Sequence, residues 1–228
     1  MKNSELNWNN FNLEKSKDNY PIWPNEAMVK ILFGDYLKGI KPTLESNTKV
    51  LDIGCGFGNN LIPFLVKGCK CYGVEITTQM SELAQEILNK RGFKNVIIKK
   101  GFNRSLPFND NEFDLIISNN VIHYENNEGN YLDALKEYSR VLKSGGNLYL
   151  TTAAPKHDIY RKAKLIEHNI FQIQNWDFRD GESYFYLSDK KYLEFYLSKY
   201  FVDIEIGQVT EKLMSVFLDF FIGYCSKK

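Results

Sequence analysis

Between positions 49 and 152, short apolar runs alternate with stretches whose apolar residues recur at helical spacing. The apolar runs occupy positions 49–53, 71–74, 96–98, 114–118 and 147–152. Strands that alternate with helices predict βαβ units and a mostly parallel sheet. Leu115, Ile116 and Ile117 follow one another with no polar residue between them, which indicates a strand covered on both faces.

One helix before this region and one within it have recognisable starts. Apolar spacing predicts a helix over 25–37, and Asn25 is placed to cap it. Thr78 is the predicted cap of the helix after the second strand, and Gly92 is its predicted end.

The chain after Thr152 is less regular until a predicted helix at 188–199, which two predicted strands follow at 201–206 and 218–225. We expect a single α/β domain that carries a cap segment at its N-terminus and a lid inserted after the fifth strand. The predicted ranges of cap, domain and lid are 1–46, 47–228 and about 153–200.

Composition and charge exclude several classes of protein. The 228 residues suffice for one sizeable core, and a formal net charge of +1 gives no basic face for nucleic acid. No apolar run approaches the roughly 20 residues of a membrane helix, and positions 1–10 lack the apolar stretch of a secretory signal. We expect a cytoplasmic protein that binds neither nucleic acid nor membrane, and the sequence leaves its oligomeric state open.

The cysteines are not spaced for a disulfide framework or a zinc site. Cys69 and Cys71 are two residues apart in a strand-like run, and no second pair accompanies them. We therefore expect buried free thiols.

A glycine loop joins the first strand to the helix that follows, where positions 50–58 read VLDIGCGFG. Glycine lets a ligand approach the backbone closely, and ligands bind at the carboxyl edge of a parallel sheet. A dinucleotide fingerprint has its third glycine three residues after the second, where this chain has Asn59. Because the third glycine comes one residue early, at Gly58, the spacing favours a ligand without a pyrophosphate.

An acidic residue, Glu75, ends the second strand about 20 residues beyond the first glycine of the loop. A carboxylate at this place can accept hydrogen bonds from ribose hydroxyls. The alternative is a surface glutamate at a strand end, but the glycine loop ahead of it favours ribose binding.

Two further blocks complete the pattern, since positions 106–120 read LPFNDNEFDLIISNN and positions 140–150 read RVLKSGGNLYL. With the glycine loop and Glu75, in this order and spacing, they resemble the class I S-adenosylmethionine-dependent methyltransferase family over about 50–152. The resemblance implies a Rossmann-like fold with a seven-stranded, mostly parallel sheet whose last strand is antiparallel. It also implies S-adenosylmethionine as cofactor and S-adenosylhomocysteine as product.

The resemblance further implies which residues hold the cofactor. These are Asp52, Gly54, Gly56, Gly58, Glu75, Ile76, Phe102, Asn103 and Asn119. Asp52 and the glycines would surround the methionine part with Asn119 beside it, while Ile76 would pack on the adenine. Many relatives have an aspartate for the adenine amino group where this chain has Phe102, so Asn103 or backbone amides would take that role.

His123 is the candidate general base, because it follows the fourth strand at the edge where cofactor and acceptor should meet. An ordinary histidine pKa near 6.5 suits proton acceptance at neutral pH. An alcohol acceptor must lose its proton during attack, whereas a carboxylate or phosphate oxygen needs no base. The alternative is a histidine that only packs or forms a hydrogen bond.

Residues outside the core are expected to bind the acceptor. The candidates are Tyr20, Trp23, Tyr124, His157, Arg161 and Arg179. Such aromatic and cationic side chains suit a polar or anionic ligand, because arginine matches phosphate and carboxylate oxygens. The alternative is a lid that is packed for stability and carries exposed charges.

The residues after the fourth strand set two subclasses aside. Relatives that methylate amino groups usually carry an Asn/Asp-Pro-Pro-aromatic run there, and magnesium-dependent relatives carry acidic ligands. This chain has Ser118, Asn119 and Asn120, followed by Val121 and Ile122. We therefore expect methylation at oxygen and no metal.

Positions 20–26, which read YPIWPNE, resemble methyltransferases of bacterial capsule and surface-glycan pathways. Their acceptors include sugars and nucleotide-linked phosphoramidate or phosphate precursors. We expect methyl transfer to a small polar metabolite, with capsular polysaccharide biosynthesis as its setting. Two alternatives remain at this point: a non-catalytic regulatory protein that binds S-adenosylmethionine, and a nicotinamide-dependent oxidoreductase, which the glycine spacing disfavours.

Overall fold

The computed structural model describes residues 9–15, 23–175 and 179–228. Its helices are α1 (9–15), α2 (Glu26–Phe33), α3 (Ile62–Val66), α4 (Thr78–Lys90), α5 (Glu128–Val141), α6 (Asp158–Arg161) and α7 (Lys190–Leu197). Its strands are β1 (Lys49–Ile53), β2 (Lys70–Glu75), β3 (Ile97–Lys100), β4 (Phe113–Asn119), β5 (Leu142–Ala153), β6 (Ala163–Glu167), β7 (Ile170–Ile173), β8 (Ser183–Phe185), β9 (Phe201–Leu213) and β10 (Val216–Lys227).

The main sheet has seven strands in the order β3-β2-β1-β4-β5-β10-β9. The first five strands in that order are parallel to their neighbours, and β10 is antiparallel to both β5 and β9. A short turn joins β9 to β10, which forces them to pair antiparallel. This arrangement confirms the predicted Rossmann-like methyltransferase fold. The chain progresses outward from β1 to β3 and then returns to β4 on the other side of β1, so a crevice opens between the carboxyl ends of β1 and β4.

Both faces of the sheet are covered, as the apolar β4 predicts. Successive side chains of a strand point to opposite faces. Ile116 accordingly packs in the buried cluster that contains residues of α5 and α7, whereas Leu115 and Ile117 pack in the cluster that contains residues of α2, α3 and α4. These two apolar layers hold the strand ends in place around the crevice.

The starts of two helices can be compared with their predicted caps. Asn25 caps α2, because its side chain accepts a 2.9 Å hydrogen bond from the Met28 N–H. The helix ends at Phe33, earlier than expected. The cap of α4 is Thr77, whose hydroxyl accepts a 3.1 Å bond from the Met80 N–H. The prediction of Thr78 is wrong by one residue, because the extended backbone that a cap needs occurs at Thr77.

The region after β5 is more regular than its sequence indicates, since β6, β7 and β8 form an antiparallel three-stranded sheet. Most of β6 is exposed, so it lacks the apolar alternation by which strands are recognised. The Phe185 N–H donates a 3.0 Å hydrogen bond to the Glu125 carbonyl, which ties β8 to the turn after β4. This contact brings the small sheet to the crevice.

The four cysteines are buried and unpaired, as expected. Across the described segments, no helix combines the length and apolar character needed to cross a lipid bilayer.

The central position of Ile116 yields a stability prediction. Ile116 is fully buried in the middle strand, so Ile116→Ala should lower the free energy of unfolding by about 2–5 kcal/mol through lost burial and a cavity. Val66→Ala is the matched control, because Val66 is 75% exposed on α3 and should change it by less than about 0.5 kcal/mol. Urea denaturation measures both. Equal losses from the two variants would contradict the assigned core.

Candidate functional site

The glycine loop after β1 turns back onto β2. The N–H groups of Gly54 and Cys55 both donate to the Val74 carbonyl, at 2.8 and 3.1 Å. Gly54, Gly56 and Gly58 have φ values of +65°, +56° and +79°, a left-handed backbone that glycine adopts without strain.

Close packing excludes a side chain at two of these glycines, whereas the third faces open space. A Cβ on Gly54 would lie 2.6 Å from Val121 Cγ2, and one on Gly58 would lie 2.5 Å from Leu88 Cδ1. A Cβ on Gly56 would meet nothing within 4 Å. Gly56 therefore borders the crevice, where a ligand can approach its backbone.

Glu75 closes the crevice on the β2 side. Its carboxylate accepts hydrogen bonds from the Gly56 N–H at 2.6 Å and from the Ile76 N–H at 3.2 Å. Burial raises the pKa of Glu75 to about 7, although the two N–H groups act in the opposite direction. The structure thus brings the glycine loop, Glu75 and the half-buried Ile76 together, as the sequence pattern indicated.

Asp52 lies on β1 beneath the same loop and is 1% exposed. Neither of its carboxylate oxygens has a hydrogen-bond partner among the residues that the structure describes. Burial, together with the charge of Glu75, raises the pKa of Asp52 well above its usual range. A buried carboxylate without partners is costly, so this position favours a ligand with a positive charge or hydrogen-bond donors.

The loop after β3 is held by contacts within the protein. The N–H and carbonyl of Phe102, whose side chain is 38% exposed, pair with Ser105 at 3.1 and 2.9 Å. The Asn103 amide donates to Glu125 at 3.0 Å, and its oxygen accepts from the Tyr138 hydroxyl at 2.7 Å. Both polar groups of the Asn103 side chain therefore already have partners, and Tyr138 fixes the loop to α5.

Two residues at this edge of the sheet were not predicted as binding residues: Asn120, directly after β4, and Thr151 on the neighbouring β5. Asn120 has a φ of +60°, which asparagine tolerates better than most residues, and its N–H donates to Thr151 Oγ1 at 2.8 Å. The Thr151 hydroxyl lies 2.6 Å from Asn120 Oδ1 and 3.2 Å from Asn119 Oδ1. An asparagine directly after a strand was the available signal for this sharp turn.

A cavity of about 390 Å³ lies beside this turn. Its lining includes three of the predicted site residues, His123, Tyr124 and His157. Asn120, which follows the predicted Asn119, also lines it. Arg179, in the connection between β7 and β8, also lines it, as do Phe11 and Phe220, which were not predicted from the sequence. Pockets of this size hold small metabolites.

His123 is 2% exposed and belongs to this lining. The Ala153 N–H donates to its Nδ1 at 3.4 Å, and its ring centroid lies 4.5 Å from that of Tyr124 and 5.6 Å from that of Tyr184. Burial, followed by the positive charge of Arg179, lowers the pKa of His123 well below its usual range. The ring is therefore neutral at pH 7.

His157 caps α6 from the opposite wall, since its Nδ1 accepts a 3.0 Å hydrogen bond from the Ile159 N–H. Its ring packs edge-on to Phe220 with centroids 4.7 Å apart. Burial and the charge of Arg179 lower its pKa to about 4. The Arg179 guanidinium carbon lies 5.8 Å from the centroid of the Tyr124 ring.

Two of the predicted acceptor residues, Arg161 and Trp23, do not line the cavity. The Arg161 side chain is 66% exposed and pairs with Asp158 at 3.0 Å. Trp23 is 77% exposed and does not line the cavity. Tyr20 lies outside the described residues.

Comparison with known proteins assigns this chain to a family. Residues 44–195 match the family model described as a methyltransferase domain. The chain belongs to the methyltransferase domain family. This membership supports the predicted enzyme class, an S-adenosylmethionine-dependent methyltransferase, and the predicted cofactor.

Individual relatives match only part of this chain. The chain is 35% identical over 102 residues to the methyltransferase YcgJ of Bacillus subtilis. These residues make up 45% of this chain and 39% of YcgJ. The chain is 32% identical over 116 residues to a demethylmenaquinone methyltransferase of Anoxybacillus flavithermus, covering 49% of this chain and 48% of that protein. The chain thus spans about half the length of the curated relatives that it matches.

Solved structures share the fold. A methyltransferase from Methanosarcina mazei superposes with a TM-score of 0.68 at 24% identity, over 81% of this chain and 94% of that one. The PH0226 protein from Pyrococcus horikoshii gives a TM-score of 0.64 at 23% identity, over 94% and 99%.

The residues of the crevice fit S-adenosylmethionine as a ligand. S-adenosylmethionine carries an ammonium group and a positively charged sulfur, which suit the partnerless carboxylate of Asp52. Its ribose hydroxyls suit the Glu75 carboxylate, and the space before Gly56 admits the cofactor backbone. No group of three or more metal-binding side chains occurs among the described residues.

The Glu75 contact yields a binding prediction. Glu75→Gln should weaken S-adenosylhomocysteine binding by roughly 10- to 150-fold, the loss expected for a charge-assisted hydrogen bond of about 1.5–3 kcal/mol. Isothermal titration calorimetry measures this, with Glu82→Gln on the exposed face of α4 as the matched control. Equal affinity of the two variants would remove Glu75 from the ribose site.

The raised pKa of Glu75 yields a second prediction, on pH. Below pH 7 most of Glu75 is protonated, so a ligand that prefers the carboxylate must displace a proton. S-adenosylhomocysteine affinity should therefore increase by up to about tenfold between pH 6 and pH 8, and Glu75→Gln should flatten this rise. Tighter binding at pH 6 than at pH 8 would contradict the assignment.

Proposed function

We propose that this protein transfers the methyl group of S-adenosylmethionine to an oxygen of a small polar acceptor bound in the 390 Å³ cavity. The observation that carries the proposal is the turn after β4, which is shared by crevice and cavity. Val121 packs over Gly54 in the glycine loop, while Asn120 and His123, on either side of it, line the cavity. An acceptor there would lie next to the methionine end of the cofactor.

The residue roles follow from this arrangement. Asp52, Gly54 and Gly56 would hold the methionine part, Glu75 would orient the ribose, and S-adenosylmethionine would supply a methyl group on a cationic sulfur. Ile76, Gly58 and Asn119 remain predicted cofactor contacts. Asn103 is already paired with Glu125 and Tyr138, which favours a supporting role for it over direct recognition of adenine.

Acceptor binding is proposed for Tyr124, His157 and Arg179. Relatives differ in this respect, since their names specify demethylmenaquinone in one case and arsenite, for an enzyme of Aquipseudomonas alcaligenes, in another. The acceptor of this chain therefore has to be inferred from its own cavity. The likeness of positions 20–26 to surface-glycan methyltransferases supports a sugar or a nucleotide-linked phosphate or phosphoramidate precursor as part of the proposal.

The N-terminal cap proposed from the sequence has contacts beside the crevice that support it. The Asn9 amide donates to Gln79 Oε1 at 2.7 Å, and the Thr77 hydroxyl donates to Asn9 Oδ1 at 3.0 Å, so α1 is attached beside Glu75. The Asn25 N–H donates to Asn60 Oδ1 at 2.9 Å, next to the glycine loop. A cytoplasmic location and the exclusion of nucleic-acid and membrane partners stay predictions from composition.

Two experiments separate this function from its rivals. S-adenosylmethionine at 100 times its dissociation constant should stabilise the protein by about 2.7 kcal/mol in thermal unfolding, whereas NADH should not. A methyl-transfer screen against small-molecule pools, read by mass spectrometry, should then find an acceptor. Stabilisation by NADH alone would point to an oxidoreductase, and firm cofactor binding without turnover across the pools would favour the regulatory protein.

The role of His123 as a proton acceptor has its own test. His123→Ala and His123→Gln remove the imidazole, so a general base would make kcat fall by about 100-fold or more and alter its pH dependence. Near-normal rates with an unchanged pH profile would exclude His123 as the base.

A further inference from the structure

We infer that Glu125 is a positioning residue for the cofactor, because its buried carboxylate holds the loop after β3 in the conformation that receives the adenine base. Glu125 acts through the loop and does not itself contact the cofactor. The inference rests on the proposed function and adds a residue that the sequence patterns did not indicate.

The loop after β3 makes a tight turn at residues 102–105. The backbones of Phe102 and Ser105 pair through two hydrogen bonds of 3.1 and 2.9 Å, so Asn103 and Arg104 occupy the tip of the turn. An isolated turn of this kind is marginally stable at best, so contacts from other parts of the protein have to fix its position.

Glu125 supplies two of these contacts. One of its carboxylate oxygens accepts a 3.0 Å hydrogen bond from the Asn103 amide, and the other accepts a 3.0 Å hydrogen bond from Arg104 Nε. Each oxygen therefore holds one residue of the tip. Glu125 is only 9% exposed, and a buried carboxylate requires partners of this kind.

The backbone of Glu125 is anchored on both sides. Its N–H donates to the Ile122 carbonyl at 3.1 Å, and its own carbonyl accepts a 3.0 Å hydrogen bond from the Phe185 N–H. Ile122 and Phe185 are both buried in the apolar layer that contains residues of α5. The carboxylate thus projects from a fixed point of the core, and the position of the loop follows from it.

The order of the strands indicates which part of the cofactor this loop would meet. The carboxyl edge of the sheet runs β3-β2-β1-β4. The proposed function assigns the methionine part to Asp52 on β1 and the ribose to Glu75 at the end of β2. The base is attached on the other side of the ribose, so it would extend towards β3.

The start of the loop agrees with this direction. The Gly101 N–H donates to the Glu75 carbonyl at 2.9 Å, so the loop leaves the sheet directly beside the proposed ribose site. A displacement of its tip would therefore alter the surface offered to the base and leave the ribose and methionine sites in place. A salt bridge that only stabilised the fold would have no such selective effect.

A series of three ligands separates these two roles in calorimetric titrations. S-adenosylhomocysteine contains base, ribose and amino acid, methylthioadenosine lacks the amino acid, and S-ribosylhomocysteine lacks the base. Glu125→Ala should weaken binding of the first two by a similar factor of about tenfold, because Asn103 and Arg104 lose a charged partner, and should leave S-ribosylhomocysteine unchanged. Glu125→Gln keeps one acceptor oxygen and should lose less affinity than Glu125→Ala.

Asp114→Ala is the matched control. The Asp114 carboxylate also accepts from one cation and one N–H group, Lys143 Nζ at 2.6 Å and the Lys49 N–H at 2.8 Å. It lies near the amino end of β4, at the opposite edge of the sheet. This variant should lower the melting temperature but bind all three ligands as the unaltered protein does, and every titration is made well below the melting temperature of its variant.

A double variant tests whether Glu125 acts through the loop. Asn103→Ala alone should weaken S-adenosylhomocysteine binding. In combination with Glu125→Ala it should add little to the loss, because residues in one hydrogen-bond network are not additive.

Four outcomes would overturn the inference. These are unchanged S-adenosylhomocysteine affinity of Glu125→Ala, an equal loss for S-ribosylhomocysteine, an equal loss in Asp114→Ala, and fully multiplicative losses in the double variant. Failure of the proposed function is recognised separately, because the unaltered protein would then not bind S-adenosylhomocysteine.

Discussion

The hydrogen bond between the Gly56 N–H and the buried Glu75 carboxylate is the contact on which the rest of the site depends. It joins the ends of β1 and β2 and defines one side of the crevice. The left-handed backbone of the glycine loop makes this approach possible, because a side chain on Gly54 or Gly58 would collide with Val121 or Leu88. This contact therefore fixes the position of Glu75 relative to the glycine loop on this side of the crevice.

Placing Asp52 beneath Glu75 has an electrostatic cost. Burial raises the pKa of both carboxyl groups, and the charge of Glu75 raises that of Asp52 further. A cationic ligand with hydroxyl donors would offset this cost, which favours an adenosyl cation as the ligand of this crevice. The neighbouring cavity has a mixed lining, which includes Arg179, two histidines and the carboxylates of Glu26 and Glu211.

Much of the crevice could be predicted from sequence because its signals are local. The glycine loop, Glu75 and the apolar β4 each lie within a few consecutive residues, and strand periodicity places them at one edge of a sheet. The small sheet was harder to predict, because the exposed β6 lacks apolar alternation. Two arginines after β5 looked equivalent in sequence, yet Arg161 pairs with Asp158 at the surface while Arg179 lines the cavity.

The sequence by itself predicted the fold class and a set of candidate cofactor-binding residues, because these depend on short-range patterns and on glycine's conformational freedom. Only the tertiary structure decided what the acceptor cavity offers, because its walls come from Phe11, His123, His157, Arg179 and Phe220, which are far apart along the chain. The protonation of its histidines is also a tertiary property, since backbone donors determine which ring nitrogen carries the proton. A motif records which side chain is present, but the hydrogen bonds of the folded chain determine what that side chain can do.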